Sequence, residues 1–275
     1  MVMQNTIVLT VHNKEATIKR VLTGISKTTS QSTSRVLIIL DGCTDNTEQI
    51  VRQYIERCCD CGREWDVILT PDIWETRANN IGLRNAQTTY VTILQDDMLL
   101  EEVNWDLKLI GTLESDNVFA VTGRTVHDFI IHNGLFKVVN PAGREYPLGS
   151  SGIIPKIIAK IVAVLKLHSI SCRLDCVHKR LIANRGPLIM KTDHVRGLGY
   201  LDERYAPFEL DDADLCCRAF KKYGLISAVN TIGYTEIGGS KKMSKQSAHQ
   251  SKLAIKKNSL LLFADHADLM NSEYL

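Results

Sequence analysis

The chain has 275 residues, which is enough for one large α/β domain or two small ones, and its 44% apolar and 23% charged residues are typical of globular proteins. A net charge near +2 excludes a surface built as a whole for nucleic acid, so we expect no nucleic-acid partner. No uncharged apolar run reaches the roughly 18 residues of a membrane span, and the first residues lack the pattern of a signal peptide, so a cytoplasmic location is predicted.

Strands and helices alternate along the first part of the chain. Short runs rich in β-branched and apolar residues predict four strands, at 6–11, 35–40, 66–69 and 90–94. Apolar residues at helical spacing predict the helices that follow them, at 15–25, from a cap at Thr44 or Asp45 onward, and at 76–86. This alternation predicts an α/β fold with a Rossmann-like, mostly parallel central sheet flanked by helices.

Polar residues follow three of these strands. In parallel sheets ligands bind beyond the carboxyl ends of the strands, where loops converge and helix N-termini point into the crevice. The candidate ligand-binding residues are therefore the polar side chains at those ends: His12, Asn13, Asp41, Asp96 and Asp97.

The adjacent aspartates Asp96 and Asp97 end an otherwise apolar strand. Two neighbouring carboxylates repel each other, so keeping both ionised requires a compensating cation. Mn²⁺ or Mg²⁺ suits this place, because a hard ion held by one or two carboxylates keeps open positions for phosphate oxygens. The alternative is that "QDDMLLEE" begins a capped helix. Glycine-rich dinucleotide and P-loop motifs are missing, so a metal would have to hold the diphosphate of a bound nucleotide.

Beyond about residue 125 the alternation is lost, and the next clear pattern is an amphipathic helix at 152–169 with Lys156, Lys160 and Lys166 on its polar face. It either packs on the body of the protein or lies in a membrane interface. The cysteines leave a similar choice between zinc ligands and ordinary thiols, and the irregular spacing favours thiols. The two clusters concerned are Cys58, Cys59 and Cys61, and His168, Cys172, Cys176 and His178.

Four motifs resemble the inverting family 2 glycosyltransferases, which have the GT-A fold. They are "TIVLTVHNKEATIKRVLTGI", "VLIILDGCTDNTEQIV", "ANNIGLRNAQTTYVTILQDDM" and "YAPFELDDADLCCRAF", and they occur in the family's order. The resemblance implies one continuous GT-A domain with a nucleotide-sugar-binding half at 1–125 and an acceptor-binding half at 126–235 that contains the amphipathic helix near 153–168. A basic loop and a helical tail at 236–275 would complete it.

The resemblance also assigns the donor site. It implies that "VHNKE" lines the nucleotide pocket, that Asp41 contacts the base, and that Asp97 binds the metal while Asp96 contacts ribose or the metal through water. The nucleotide-sugar-binding residues implied in this way are Val11, His12, Asn13, Glu15, Asp41, Arg77, Asn80, Gln95 and Asp96.

The second acidic cluster, "FELDDADLCCR", resembles the family's Glu-Asp element. Matching it places the catalytic base at Asp212 and the preceding acid at Asp211, while a helix start rich in acids would equally suit the helix dipole. Downstream, Glu236 stands near the place of a histidine that many members use for the metal or diphosphate. Lys241, Lys242, Lys245 or His249 could close over the diphosphate instead, although a solvated surface tail explains them as well.

These features predict a metal-dependent, non-processive, inverting glycosyltransferase that moves one sugar, most simply from a UDP-sugar, to a hydroxyl of a glycan or lipid-linked saccharide. The Q-x-x-R-W element of processive relatives is absent. A sugar nucleotidyltransferase is the alternative enzyme, although "VHNKEATI" offers no glycine-rich loop, and a non-catalytic binding relative is the other alternative. The amphipathic helix adds the hypothesis of peripheral contact with the cytoplasmic membrane face.

Overall fold

A computed structural model describes residues 4–57, 62–124, 128–132, 135–139, 177–237 and 245–269. The strands are β1 (Asn5–Val11), β2 (Thr33–Asp41), β3 (Glu64–Thr70), β4 (Tyr90–Gln95), β5 (Met98–Leu100), β6 (Val118–Thr122), β7 (Asp128–His132), β8 (Leu135–Val139), β9 (His178–Arg180), β10 (Leu188–Lys191), β11 (Ile226–Val229) and β12 (Tyr234–Glu236). The helices are α1 (Ile18–Thr28), α2 (Thr47–Arg57), α3 (Glu75–Asn85), α4 (Trp105–Leu113), α5 (Thr192–Gly197), α6 (Asp211–Tyr223) and α7 (Lys245–His266).

Within these ranges eight strands form the main sheet, in the order β3-β2-β1-β4-β10-β6-β11-β9. The first four run parallel, so the predicted Rossmann-like half is confirmed. Strand β10 then lies antiparallel between β4 and β6, and β11 runs parallel to β6. The result is the mixed α/β, mostly parallel sheet flanked by helices that the sequence predicts.

Both faces of the sheet are buried. Ile7 and Leu9 of β1 face the layer of α1 and α4, whereas Val8 faces the layer of α3 and α6. Gly82 permits the close approach of α3, because a Cβ there would lie 2.1 Å from a methyl carbon of Val8. Large apolar side chains on both faces of a central strand are typical of parallel sheets covered by helices.

The chain after β4 does not form the helix that was one alternative for this stretch. Asp96 and Asp97 form a tight turn, and Met98 begins the short strand β5, which pairs with β12. The reading of "QDDMLLEE" as a helix start is therefore wrong. Helix α1 also begins at Ile18, three residues after the predicted start at residue 15, because the carbonyl of Lys14 accepts hydrogen bonds from the backbone N–H groups of Thr17 and Ile18 in a turn.

Several predictions fall outside the described residues. These are the helix at 152–169 with its proposed membrane contact near 153–168, the cluster at 58–61, His168, Cys172, Cys176, Lys241 and Lys242. The boundaries at residues 125 and 235 stay predictions. Within the described ranges Cys43, Cys216 and Cys217 are free thiols. No helix in those ranges combines the length and apolarity needed to cross a membrane.

Candidate active site

The loops that follow β1 and β2 are tied together by the residues predicted to line a nucleotide pocket. The side-chain oxygen of Asn13 accepts hydrogen bonds from the backbone N–H groups of Thr44 (2.8 Å) and Asp45 (3.3 Å). A carboxylate oxygen of Glu15 accepts from the backbone and side-chain nitrogens of Asn46, each at 3.1 Å. Val11 is fully buried. Asn13 and Glu15 thus join the two loops through their side chains.

Asp41, at the end of β2, is committed to the segment between β3 and α3. Its Oδ1 accepts hydrogen bonds from the Thr70 hydroxyl and the Ile73 N–H, and its Oδ2 accepts from the Trp74 N–H, each at 2.9 Å. Only 3% of Asp41 is exposed. The contact with a nucleotide base that the family resemblance implies would therefore compete with three hydrogen bonds inside the protein.

Gly42 allows the segment between β3 and α3 to lie close to the end of β2. It has φ +57°, and a Cβ there would lie 2.6 Å from the Cβ of Asp72. A larger residue would push the β3–α3 segment away from Asp41, so the Asp-Gly pair of the motif is used to hold a loop.

The turn of Asp96 and Asp97 holds two unequal carboxylates. Asp96 receives Lys14 Nζ at 3.1 Å and the His12 backbone N–H at 3.3 Å. Burial raises the pKa of Asp96, and Lys14 opposes that rise. Among the described residues nothing pairs with the carboxylate of Asp97, although its backbone carbonyl accepts from the Ile237 N–H at 2.7 Å. Asp97 thus presents a carboxylate at the strand end that the rest of the described chain leaves available to a cation.

A second group of possible metal ligands lies nearby. One ligand atom from each of His12, Asp41 and Asp72 falls within 4.8 Å of the others. The oxygens of Asp41 already accept three hydrogen bonds, and Nδ1 of His12 lies 2.6 Å from the Asp41 carbonyl oxygen. This group therefore offers a cation fewer free lone pairs than the turn of Asp96 and Asp97 does.

Two predicted donor-site residues lie elsewhere. Asn80 is buried in α3, where its side chain donates to the Leu201 carbonyl and accepts from the Leu201 N–H, both at 2.9 Å. Arg77 faces Glu203 at 3.6 Å. Both residues join α3 to residues 201–203.

Arg124, which sequence reasoning missed, links Gln95 to the region of Glu236. Its guanidinium donates to the Gln95 side-chain oxygen at 2.7 Å and to the Glu236 carboxylate at 2.6 Å. Glu236 is thereby engaged in an ion pair beside β5. The pattern of strand ends gave no signal for Arg124, because it follows β6, which is not one of the four strands predicted from the sequence.

The helix α6 begins with the predicted acids, and the structure gives them different surroundings. Asp211 is fully buried and receives both terminal nitrogens of Arg185, at 2.7 and 3.1 Å. Such a two-point pair fixes the geometry as well as compensating the charge. Burial raises the pKa of Asp211, opposed by Arg185. Asp211 is thus placed to hold Arg185 and α6 in position, with no surface of its own for a substrate.

Asp212 is the partly accessible member of the pair. It is 6% exposed, and its Oδ2 accepts the Arg185 backbone N–H at 2.9 Å while its Oδ1 accepts the Ala213 N–H at 2.8 Å. These donors fix the direction of the carboxylate and leave lone pairs for a further partner. A carboxylate aimed from a rigid helix start can act as a general base.

Glu75, the first residue of α3, joins this cluster and was also missed. Its carboxylate lies 3.4 Å from Arg185, which is itself 5% exposed. Although 34% of the Glu75 side chain is accessible, protein atoms crowd its carboxyl group. This desolvation raises its pKa to about 7. The nearby carboxylates of Asp211 and Asp96 add to the rise, and Arg185 opposes it. Glu75 therefore stands within electrostatic reach of both aspartate pairs and exchanges a proton near neutral pH.

Because Glu75 binds this proton more tightly in the folded state, the stability of the protein should depend on pH near neutrality. In the unfolded chain the carboxyl group has its usual pKa of 4.5, so the folded state binds the proton more tightly. The stabilisation from Glu75 is therefore complete below that pKa and lost as the pH rises through about 7. We expect Glu75→Gln to gain about 2 °C in Tm over the wild type between pH 5 and pH 8, a value reduced for the partial exposure.

Thermal unfolding followed by circular dichroism at five pH values measures the difference. Glu48→Gln, on the exposed face of α2 beside Arg52, is the matched control and should show no such trend. A constant difference between Glu75→Gln and the wild type across the range would contradict the assignment.

The segment before α6 is held by the C-terminal helix. The side-chain nitrogen of Asn258 in α7 lies within hydrogen-bond distance of the carbonyls of Tyr205, Phe208 and Glu209, at 2.6, 2.8 and 3.0 Å. Glu209 and Leu210 have φ values of +73° and +66°, a region that residues with a side chain rarely adopt. The anchor from α7 thus keeps a strained turn directly before Asp211 and Asp212.

Sequence comparison identifies the family. The model of Glycosyl transferase family 2 matches residues 6–145, just over half of the chain. The chain belongs to glycosyl transferase family 2. No curated protein matches this family 2 chain in sequence. The matched range contains the turn of Asp96 and Asp97 and the loops after β1 and β2, whereas α6 lies beyond it.

Solved structures share the GT-A fold of this family 2 chain. The mannosyltransferase PcManGT from Pyrobaculum calidifontis, in complex with GDP-Man and Mn²⁺, matches with TM-score 0.54 and 16% identity over 91% of this chain and 60% of its own. GalNAc-T7 with UDP, GalNAc and Mn²⁺ has TM-score 0.60 and 12% identity, covering 99% and 58%. Glucosyl-3-phosphoglycerate synthase from Mycobacterium tuberculosis, with Mn²⁺, UDP and glucosyl-3-phosphoglycerate, matches with TM-score 0.55 and 15% identity. The match covers 96% of this chain and 80% of the synthase.

These likenesses establish the fold of the family 2 chain, and the predicted GT-A glycosyltransferase is confirmed at the level of family and fold. The chain spans 60% and 58% of the length of the first two of these proteins.

Proposed function

We propose that this protein is a metal-dependent, inverting glycosyltransferase. It moves one sugar from a nucleoside-diphosphate sugar, most simply a UDP-sugar, to a hydroxyl of a glycan or lipid-linked saccharide. The observation that carries the proposal is that carboxylates lie at two places. One is the turn at the carboxyl end of β4, where Asp97 has no side-chain partner among the described residues, and the other is the start of α6, where Asp212 is fixed by hydrogen bonds. The three solved neighbours named above, two with UDP and one with GDP-Man, each contain Mn²⁺.

The residues at the turn suit a divalent cation. Asp97 supplies a carboxylate with free oxygens, and Asp96 supplies a second carboxylate whose raised pKa reflects incomplete compensation by Lys14. Mn²⁺ or Mg²⁺ held there would neutralise charge on the departing nucleoside diphosphate. His12 and Asn13 form the adjoining wall, with the nucleotide entering between the loops that follow β1 and β2.

Asp212 takes the proton from the acceptor hydroxyl as that oxygen attacks the anomeric carbon. A retaining double displacement would need a second carboxylate as nucleophile. Asp211 is unsuited to that role, since it is fully buried and paired with Arg185 at both oxygens. Direct displacement with one base therefore accounts best for the arrangement, and it inverts the anomeric centre.

Thermal shift with Mn²⁺ and a panel of nucleoside diphosphates tests the proposal. UDP together with Mn²⁺ is expected to raise Tm, and EDTA should abolish the gain. If neither ions nor nucleotides change Tm, the donor site is wrong. A protein that binds nucleotide without releasing sugar from any donor would instead be a binding relative.

We also propose a role in polysaccharide biosynthesis at the cytoplasmic face of a membrane, which rests on the amphipathic sequence near 153–168. Flotation of the protein with anionic liposomes tests it. Recovery of all protein in the bottom fraction, with anionic and neutral liposomes alike, would remove the membrane contact.

A further inference from the structure

An aromatic platform joins the segment before α3 to the segment before α6. The platform consists of Trp74, between β3 and α3, and Phe208, in the segment before α6, with ring centroids 6.2 Å apart and ring planes within 19° of parallel. Trp74 is 48% exposed, whereas Trp105 is fully buried. An exposed indole stacked on a second ring offers a flat apolar face to a ligand.

The backbone of Trp74 is strained. Its φ of 70° and ψ of 164° lie in a region that essentially only glycine adopts. The hydrogen bond from the Trp74 N–H to Asp41 Oδ2 and that from Ile73 to Oδ1 hold this conformation. The backbone that carries the exposed indole is therefore fixed by Asp41 in a conformation that a tryptophan rarely adopts.

Phe208 is fixed from the other side. The N–H and the hydroxyl of Thr76 both approach the Pro207 carbonyl, at 3.2 and 3.3 Å, and so join α3 to the segment of Phe208. The carbonyl of Phe208 accepts from Asn258 of α7. Both rings are therefore placed by buried anchors before any ligand arrives, which lowers the entropic cost of binding.

The residues that directly follow Trp74 and Phe208 in the chain are acidic. Glu75 follows Trp74 directly, Glu209 follows Phe208 directly, and both are accessible to solvent. Arg185, the cation that contacts Glu75, is nearly buried and already paired with Asp211. Carboxyl groups form hydrogen bonds with hydroxyl groups, and their ionised forms repel anions, so this surface favours an uncharged, hydroxyl-rich ligand.

We propose that the aromatic platform is the acceptor subsite and that it selects a neutral saccharide. One sugar ring stacks its apolar face on Trp74, and its hydroxyl groups donate to Glu75 and Glu209. This proposal rests on the proposed function, because Asp212 lies four residues after Phe208 and would meet the reacting hydroxyl of the stacked sugar. Acceptors that carry a phosphate or carboxylate on this ring are disfavoured.

Tryptophan fluorescence tests the subsite without donor or metal. Neutral methyl glycosides and disaccharides of glucose, galactose, mannose and N-acetylglucosamine serve as probes at millimolar concentration, and glucuronate and glucose 6-phosphate form the anionic arm. At least one neutral probe should shift the emission of the wild type with saturation. The shift should disappear in Trp74→Ala and persist in Trp65→Phe, the matched control in β3. Phe208→Leu should weaken binding at least threefold.

Three results would overturn the proposal. One is that no neutral probe binds, the second is that an anionic probe binds as tightly as its neutral counterpart, and the third is that Trp74→Ala loses UDP binding in the presence of Mn²⁺. The last result would place the indole in the nucleotide pocket.

The test separates this subsite from the proposed function. Saccharide binding that depends on Trp74, in a protein that binds no nucleotide, would sustain the subsite and reject the transferase. Nucleotide binding with no saccharide response would instead support the transferase and reject the subsite. Circular dichroism of each variant shows whether it is folded, and Trp74→Phe, which keeps an apolar ring and should retain part of the affinity, replaces Trp74→Ala if that variant fails to fold.

Discussion

Replacing Asp212 with Asn is expected to lower kcat by about a thousandfold, because a positioned general base contributes roughly 10²–10⁴ to the rate. An asparagine side chain keeps an oxygen to accept the Arg185 N–H, so the start of α6 should survive. It cannot accept the proton of the acceptor hydroxyl. Nucleotide affinity should stay within about twofold of the wild type, since the proposed donor pocket lies at the other group of carboxylates.

The measurement is turnover under saturating donor, with calorimetric titration of UDP and Mn²⁺ on the same samples. Asp193→Asn is the matched control, since Asp193 is exposed and pairs with Arg196 in the same helix. Asp211→Asn should differ from both variants by losing stability, because it leaves the buried Arg185 with an incomplete partner. Turnover by Asp212→Asn at the wild-type rate would exclude Asp212 as the base.

The two aspartates of the turn are expected to respond unequally. Asp97→Asn should lower Mn²⁺-dependent turnover by more than about 10²-fold, because its carboxylate is the one left available to a cation and the leaving group needs charge stabilisation. Asp96→Asn should mainly raise the KM for the donor, since Asp96 positions Lys14 and the His12 backbone. Initial rates over a series of Mn²⁺ and donor concentrations measure both effects.

Asp72→Asn provides the control for the metal assignment. Asp72 belongs to the group with His12 and Asp41, so its replacement should leave the Mn²⁺ dependence unchanged if the ion binds at the turn of Asp96 and Asp97. A weaker Mn²⁺ response in Asp72→Asn, with a normal response in Asp97→Asn, would move the metal to the His12 group. Equal behaviour of Asp96→Asn and Asp97→Asn would contradict the division of roles.

The strand and helix pattern of the first half is readable from sequence because it depends on local properties. β-branched apolar runs such as those of β1 and β2 are buried on both faces, and each is followed by a helix with an apolar stripe. The carboxyl ends of parallel strands meet at one edge, so the position of Asp96 and Asp97 beside His12 also follows from sequence.

The partners of the site residues are not readable in the same way. Asp41 carries a recognisable motif, but its three donors come from a segment 29 to 33 residues later, whose approach depends on the folding of β3 beside β2. Arg185 precedes a strand that inserts antiparallel into the sheet, and the alternating pattern gives no sign of that insertion. Asn80 matches a family position but is used here to hold residues 201–203.

The properties of Glu75 and Trp74 also depend on residues that are distant in sequence. From sequence, Glu75 is an ordinary acid in the first turn of a helix, as the helix dipole favours. Its pKa near 7 arises mainly because the folded protein desolvates its carboxyl group, while Asp211 and Asp96 raise the pKa further and Arg185 opposes them. The glycine-like backbone of Trp74 likewise depends on Asp41, and no local propensity predicts it.

Release of nucleoside diphosphate from a panel of UDP- and GDP-sugars tests the central proposal most directly. The panel is run with the wild-type protein in Mn²⁺ and in EDTA, with the neutral saccharides named above as acceptors. We expect one donor to be consumed with Mn²⁺ and none in EDTA. If every donor stayed intact with Mn²⁺ or Mg²⁺ and with each acceptor, the proposed transferase would be contradicted.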